Sequence, residues 1–596
     1  MFQTFEVTAR PEQGPPRLAR LRAAMAEAGL DGFLVPRADA HQGEYVADHD
    51  ARLAWLTGFT GSAGFCAALG TVAGVFVDGR YRTQVKAQVA DVFTPVPWPE
   101  TGLAEWLRDQ LPSGGRVGFD PWLHTVAEVE GWTRALEGSG IEMVQSANLV
   151  DAIWEDQPSP PMRPVKPHPI EFAGETAESK CTRLAEVLRK AGHRAAVLTQ
   201  PDSIMWLLNI RGSDIPRNPV AHGFAVLHDD GRVDLFIAAV KLDGLADHLG
   251  PAVTVCLPES LLPALAALAG PVRYDRSTAP QKLADALGAA GVAGNDPCAL
   301  PKATKTAAEI AGSAAAHLRD GAAMVELLAW LDAQAPGSLR ETQVVSRLES
   351  CRRKDNALQD ISFDTIAGTG PNGAIMHYRV SEETDSVLAD GHLLVLDSGG
   401  QYLDGTTDIT RTIAIGTPGE DERAAFTRVL QGMIAMSRLR WPRGLAGRDI
   451  EAIGRMPLWL AGQDFNHGLG HGVGAYLSVH EGPQRLSRMS TVPLEPGMIL
   501  SNEPGYYREG AFGIRIENLL VAQAAPALPG GDPEREMLCW RTLTFVPIDR
   551  RLILRDRLTT DERAWLDAYH REVREKIGPR LGKAANVWLD AATAPI

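Results

Sequence analysis

Long apolar runs, closely spaced cysteines and basic clusters are all missing from this 596-residue chain. No stretch approaches the ~18 consecutive apolar residues that a membrane-crossing helix needs. The six cysteines (Cys66, Cys181, Cys256, Cys298, Cys351 and Cys539) are scattered, with no CxxC pair and no Cys/His cluster. That spacing argues against a structural zinc site and against a disulfide framework. Basic residues are outnumbered, 59 Lys and Arg against 74 Asp and Glu, and the formal charge of −15 is the wrong sign for a nucleic-acid surface. The N-terminus, Met1-Phe2-Gln3-Thr4-Phe5-Glu6, has no basic run followed by an apolar core, so no signal peptide is expected. These absences describe a reduced, cytoplasmic protein with neither membrane nor nucleic acid as partner.

What is present is enough chain for more than one hydrophobic core, so two or three domains are expected. The clearest linker is residues 157–169, where Pro158, Pro160, Pro161, Pro164, Pro167 and Pro169 crowd together. Proline donates no backbone hydrogen bond, so this segment should be extended and should separate folded units. The flanking units read alike. Residues 17–30 form an amphipathic helical pattern ending in Ala28-Gly29, before the apolar run Phe33-Leu34-Val35. Residues 180–191 form a second, ending in Ala191-Gly192, before Ala195-Ala196-Val197-Leu198. Trp55-Leu56 with Gly61-Ser62 is echoed by Trp206-Leu207 with Gly212-Ser213. An internal repeat of a helix-then-strand unit follows, hence two related α/β domains, residues 1–160 and 161–303. A third unit, residues 304–596, opens on one or two core-facing helices over 307–333 and turns to short strands beyond Val387.

In that third unit acidic residues sit inside strand-like runs. Leu393-Leu394-Val395-Leu396-Asp397, the turn Asp404-Gly405 and Thr407-Asp408-Ile409-Thr410-Arg411 read as a hairpin whose two carboxylates can face each other across the ladder. Met498-Ile499-Leu500-Ser501-Asn502-Glu503, a loop through Gly510 and Gly513-Ile514-Arg515-Ile516-Glu517 repeat the device. Ionised carboxylates among Leu, Ile and Val are costly to bury, and four of them cannot compensate one another. Two divalent cations would balance them and leave room for a bound hydroxide. Asn466-His467-Gly468-Leu469-Gly470-His471-Gly472-Val473-Gly474 is too glycine-rich for a helix and lacks the Glu of HExxH, so it is no zincin motif. One of its histidines could serve as a fifth ligand, with His377 and His480 completing the pocket. Mostly carboxylate donors favour a hard ion such as Mn²⁺, without excluding Zn²⁺.

The run from Asp397 to Thr412, Gly470-His471-Gly472-Val473-Gly474, His480-Glu481-Gly482-Pro483, Glu503-Pro504-Gly505-Tyr506-Tyr507 and Gly513-Ile514-Arg515-Ile516-Glu517-Asn518 together resemble the pita-bread metallopeptidases. In particular they resemble the long, three-domain, cytosolic aminopeptidase P family. Phe59-Thr60-Gly61-Ser62-Ala63-Gly64, Asp78-Gly79-Arg80-Tyr81 and Asn209-Ile210-Arg211-Gly212-Ser213-Asp214 extend the likeness over nearly the whole chain. The resemblance implies a mixed α/β (α+β) architecture: two N-terminal α/β domains, then a pita-bread catalytic domain with a C-terminal extension. It implies that Asp397 binds one metal, Asp408 and Glu517 bridge both, and His471 and Glu503 bind the second. Two Mn²⁺ are usual in the family, Zn²⁺ or Co²⁺ being alternatives, and many members are homodimers. By the same likeness His377 and His480 contact the substrate carbonyl, and His467 with Tyr507 lines a pocket for proline. Arg515 orients ligands and substrate, and Glu503 is a candidate proton shuttle. The implied activity is hydrolysis of an N-terminal Xaa-Pro bond in a peptide. A prolidase-like dipeptidase is the nearest alternative, and a ligand-poor creatinase type or an inactive pita-bread binding protein are further ones.

Overall fold

The computed structural model describes residues 1–596. The chain forms two compact units, one of Thr8–Ile170 with Glu175–Ala299, the other of Met1–Val7, Glu171–Gly174 and Leu300–Ile596. No helix is long and apolar enough to cross a membrane.

The first unit carries two six-stranded sheets. In one, β1 (Gly32–Pro36), β2 (Phe65–Leu69), β3 (Ala73–Val77), β4 (Thr94–Pro97), β5 (Gly115–Phe119) and β6 (Ile141–Gln145) lie in the order 4-3-2-1-5-6. In the other, β7 (Ala195–Leu198), β8 (Phe224–His228), β9 (Val233–Phe236), β10 (Val253–Cys256), β11 (Val272–Tyr274) and β12 (Gly291–Ala293) lie in the order 10-9-8-7-11-12. Counted within each sheet, the two orders are the same. The senses match too: β1–β2 and β7–β8 are antiparallel, β1–β5 and β7–β11 parallel.

The repeat begins with equivalent helices, α1 (Gly14–Glu27) and α2 (Ala177–Lys190). Each stops for the same reason. Gly29 and Gly192 adopt left-handed φ values of 64° and 72°, a conformation that closes a helix and that L-residues with a Cβ avoid. The proline-rich stretch between the sheets is mostly extended, and Lys166–Pro167 pairs briefly with Ile210–Arg211.

The second unit opens on α3 (Ala307–Asp332), a single helix, followed by α4 (Glu341–Arg352). Beyond Val387 the chain is not only short strands. It also forms α5 (Glu420–Ser437), α6 (Gly447–Trp459) and α7 (Thr560–Ile577). The signal was present at helical spacing: Phe426, Val429, Leu430, Met433 and Ile434 enter one core with Leu458, Leu500, Leu520 and Val573. The conspicuous Gly and Asp-Gly turns nearby drew the reading toward strands.

Two sheets hold the acidic segments. β13 (Ile366–Thr369), β14 (Leu393–Ser398) and β15 (Ile409–Ala414) make an antiparallel sheet, with β14 central. A six-stranded sheet includes β16 (Gly470–Gly472), β17 (Ile499–Asn502) and β20 (Asn518–Ala524), with β17 between the other two. A two-stranded ribbon, β18 (Gly505–Arg508) and β19 (Phe512–Arg515), connects β17 to β20.

α3 starts on a reciprocal cap: Thr306 Oγ1 accepts from Glu309 N–H at 3.2 Å, and Glu309 Oε2 accepts from Thr306 N–H at 2.8 Å. Thr306→Ala removes the hydroxyl half of that cap. The expected loss is about 1 kcal/mol in the stability of this unit, read as a lowered unfolding midpoint in denaturant with the sheets otherwise intact by circular dichroism.

A candidate metal centre

The backbone registers decide where the carboxylates go. In β14–β15 the partners are Asp397↔Thr410 and Ser398↔Ile409. Asp408 therefore sits diagonally from Asp397 rather than directly opposite, two positions along on the same face. In the second pair Asn502 faces Asn518, and Gly505 faces Arg515 farther out. Glu503 and Glu517 fall in the same register, at the break where β17 passes into the ribbon. Asp397 lies within β14, while Asp408, Glu503 and Glu517 lie just beyond strand ends; Asp397, Asp408 and Glu517 are all buried.

His471 joins them from β16. Its Nε2 lies 3.4 Å from Asp408 Oδ2 and 3.3 Å from Glu503 Oε1. Nδ1 sits 3.0 Å from the Gly472 carbonyl and donates there, which fixes the ring with Nε2 facing the carboxylates. Asp408, His471 and Glu517 each present a ligand atom, all within 4.8 Å of one another. Four of the five expected ligands are thus joined through His471 and Asp408. Asp397 reaches the group through Arg515, whose Nη2 donates to Asp397 Oδ2 at 2.7 Å.

Arg515 continues outward: its Nη1 donates to Tyr507 Oη at 2.6 Å, and Tyr507 Oη lies 2.9 Å from His467 Nε2. The His467 ring also packs on Phe465, centroids 4.6 Å apart. His480 stands edge-on to His471 with centroids 4.4 Å apart. His377 lies in the turn after the 3₁₀ segment Gly370–Ala374, half-buried. That segment abuts β19 so closely that a Cβ on Gly513 would fall 1.7 Å from the Gly373 carbonyl oxygen.

Sequence reasoning had no hold on several supports. Thr410 Oγ1 donates to Glu517 Oε2 at 2.7 Å, and Ser501 Oγ donates to Glu503 Oε1 at 3.1 Å while accepting from His471 N–H at 2.9 Å. Beside His480, Glu481 is fully buried between Lys302 Nζ, 3.1 Å away, and Lys305. Only the alternation of Thr410 with Arg411 inside β15 hinted at the first of these.

The electrostatics ask for cations. Burial, then repulsion from Asp397 and Glu503, holds Asp408 well above the usual carboxylate range. Glu517 is raised in the same way by burial and by Asp408, Glu503 and Asp397. Glu503 is raised by burial and Asp397, with His471 and Arg515 pulling the other way. Burial pushes Tyr507 up to about 12. Asp397 Oδ1 and Glu517 Oε1 are buried acceptors with no protein hydrogen-bond partner. Carboxylates forced toward protonation and orphaned oxygens in one place fit divalent cations, which would restore the charged forms.

Family models bear on the same residues. The chain matches metallopeptidase family M24 over 311–524 and the C-terminal region of that family over 536–596. Creatinase/prolidase N-terminal domains match 17–153 and 156–309. Fold and site therefore define a metallopeptidase of the M24 type. The chain is 39% identical to a probable Xaa-Pro aminopeptidase P of Talaromyces marneffei, over 97% of this chain and 92% of the relative. It is 37% identical to aminopeptidase P2 of Arabidopsis thaliana, over 97% of this chain and 88% of the relative. The crystal structure of an X-prolyl aminopeptidase from Caenorhabditis elegans, described as a cytosolic enzyme with a di-nuclear active site, superposes with a TM-score of 0.93. It covers 98% of this chain and all of its own, at 32% identity. A prolidase from Pyrococcus horikoshii covers only 62% of this chain, with a TM-score of 0.50 at 23% identity, and shares the fold alone. The chain belongs to the Xaa-Pro aminopeptidase P family.

The raised carboxylates set a sign for pH. Folded Asp408, Glu503 and Glu517 hold protons that the unfolded chain releases near pH 4. The metal-free protein should therefore be stabilised by these groups in mild acid and should lose that stability as pH rises through their raised values. Divalent metal reverses this, because binding displaces the protons. The gap between metal-loaded and metal-free melting temperatures is expected to widen from pH 5 to pH 8, and Glu517→Gln to narrow it. Differential scanning fluorimetry across that range checks both.

Proposed function

We propose that this chain is a metal-dependent aminopeptidase that hydrolyses the N-terminal Xaa-Pro bond of peptides. The observation that carries the reading is the convergence of Asp408, His471, Glu503 and Glu517 in one buried place, with Asp397 tied in through Arg515. Residues 304–596 carry the chemistry in this reading, and residues 1–160 and 161–303 are the two N-terminal domains. Asp397, Asp408, His471, Glu503 and Glu517 would hold the two cations. Four carboxylates and one imidazole form a hard donor set, which suits Mn²⁺ better than Zn²⁺ or Co²⁺. Bound there, two such cations would lower the pKa of coordinated water and polarise the scissile carbonyl.

The chain's own groups do the rest. Glu503, raised by burial and 3.3 Å from His471, is placed to take a proton from the attacking water and pass it to the departing prolyl nitrogen. His480 and His377 donate to the carbonyl oxygen as negative charge develops on it. His467 and Tyr507, joined at 2.9 Å, form one wall of a proline pocket. The carboxylates also attract the free α-ammonium of a substrate, which favours removal of a single terminal residue.

Cytoplasmic location belongs to the same reading, as does a homodimer. Met456, Trp459 and Leu460 are 51%, 42% and 82% exposed at the end of α6. Arg488 lies over the Trp459 ring, next in sequence to Met489, which is 88% exposed. Exposed apolar side chains of this kind suit a second copy of the chain.

The test is to strip the protein with chelator, restore Mn²⁺ and follow release of free arginine from Arg-Pro-Pro. Metal-dependent release that Asp408→Asn abolishes is expected; no release from the loaded wild type would end the aminopeptidase reading. His480→Ala should lower kcat by roughly 10²–10³-fold with two metals retained, the scale for losing one oxyanion donor. Comparable turnover of Arg-Pro would favour the prolidase-like alternative. Light scattering should give twice the chain mass, and Leu460→Arg a monomer.

A further inference from the structure

Asp397 and Asp408 are joined by a hairpin loop, residues 399–407, in which Gly400–Tyr402 pairs with Gly405–Thr406 and with Leu358–Ile361. Beyond that ladder, the loop is held by a pair of side chains far away in sequence. Asp320, midway along α3, and Arg352, the last residue of α4, form a forked ion pair, with both side chains completely buried. Arg352 Nε donates to Asp320 Oδ1 at 2.5 Å and Nη2 to Oδ2 at 3.0 Å.

The pair spends its remaining hydrogen-bonding capacity on the loop. Arg352 Nη2 donates to Ser398 Oγ at 3.0 Å, and Nη1 to the Gly399 carbonyl at 3.2 Å. Asp320 Oδ1 accepts from Tyr402 Oη at 3.0 Å, and Oδ2 accepts from Thr407 Oγ1 at 2.8 Å. Thr407 Oγ1 accepts in turn from Gly400 N–H at 2.9 Å, and the Thr407 carbonyl accepts from Ser362 Oγ at 2.9 Å. Ser398 adjoins Asp397, and Thr407 adjoins Asp408. One ion pair therefore grips both ends of the loop at the positions next to two metal ligands.

We propose that Asp320 and Arg352 are positioning residues that fix the separation and aim of Asp397 and Asp408, and so set the affinity of the metal centre. A fully buried ion pair is a weak device for stability alone, since apolar residues of similar volume often serve as well. A forked, directional pair that reaches both flanks of the loop gives geometry instead, which a two-metal site needs to within a fraction of an ångström. Tyr402 and Thr407, both inaccessible to water, transmit the constraint, each donating its hydroxyl to Asp320.

The inference rests on the metal-site reading above. Its test measures Mn²⁺ affinity and stoichiometry by calorimetry and by electron paramagnetic resonance on metal-free protein, alongside the melting temperature of that metal-free form. Thr407→Val keeps the shape and removes the bond to Asp320; Arg352→Lys keeps the charge and removes the fork. Each is expected to weaken Mn²⁺ binding by roughly 10–100-fold and to recover near-wild-type kcat on Arg-Pro-Pro at saturating Mn²⁺. Thr407→Ser should restore the affinity. Unchanged Mn²⁺ affinity in a folded Thr407→Val, with only a lower melting temperature, would overturn the proposal and leave the pair a structural tie. A wild type that takes up no Mn²⁺ would instead defeat the metal-site reading itself.

Discussion

Four carboxylates buried within reach of one histidine set the terms for the second unit. Two like charges about 4 Å apart repel by roughly 4 kcal/mol in a partly polarisable interior, and burial adds to the cost of each. Two guanidiniums touch the set: Arg515 holds the Asp397 carboxylate, and Arg411 Nη1 donates to the Glu517 carbonyl at 2.6 Å. The fold must therefore keep these groups in place in the metal-free chain, where bound protons relieve part of their repulsion. It does so with rigid backbone. Gly470 lies so near β17 that a Cβ there would fall 1.9 Å from the Ser501 carbonyl oxygen, which brings His471 and Glu503 together. The glycine-rich run around His471 is a consequence of this packing, because only glycine permits strands and loops to approach so closely.

Rigid strands alone leave the turns free, and the turns are tied across the chain. Gln401 and Thr406, in the loop between Asp397 and Asp408, both donate to the Leu477 carbonyl, at 2.8 and 3.3 Å. Three residues later comes His480. The same loop is held from its other side by Asp320 and Arg352. The segment joining Asp397 to Asp408 and the segment leading to His480 thus share one network of directed hydrogen bonds, in which displacement of any member strains the others.

Much of this was legible in the sequence, and the limits have physical causes. Acidic residues inside apolar strands announce themselves, because nothing but a compensating charge explains them; Asp397, Asp408, Glu503 and Glu517 could be read that way. The repeat in the first unit was readable because Ala28-Gly29 and Ala191-Gly192 end equivalent helices by the same left-handed turn. The diagonal offset of Asp397 and Asp408 was not readable, since a shift of register by two leaves the alternation of faces unchanged. Asp320 and Arg352 were invisible for a different reason. Each looks like an ordinary charge on a helix, and their partners lie 46 to 87 residues away. Helices α5 and α6 were missed because turn residues around them are more conspicuous than a moderate apolar stripe.

The Lys302–Glu481–Lys305 cluster shows how the two charge problems in this unit answer each other. Two lysines and one glutamate, all nearly inaccessible to water, leave a cationic excess that would be unfavourable in isolation. Glu481 adjoins His480, whose ring stands 4.4 Å from that of the proposed metal ligand His471. The lysines therefore lie on the His480 side of the carboxylate cluster, whose negative charge the metal-free chain reduces by holding protons. Divalent cations held by the carboxylates would make the surroundings of His480 more positive, with the lysines on its other side. Such a field would favour a carbonyl oxygen that gains negative charge over one that stays neutral.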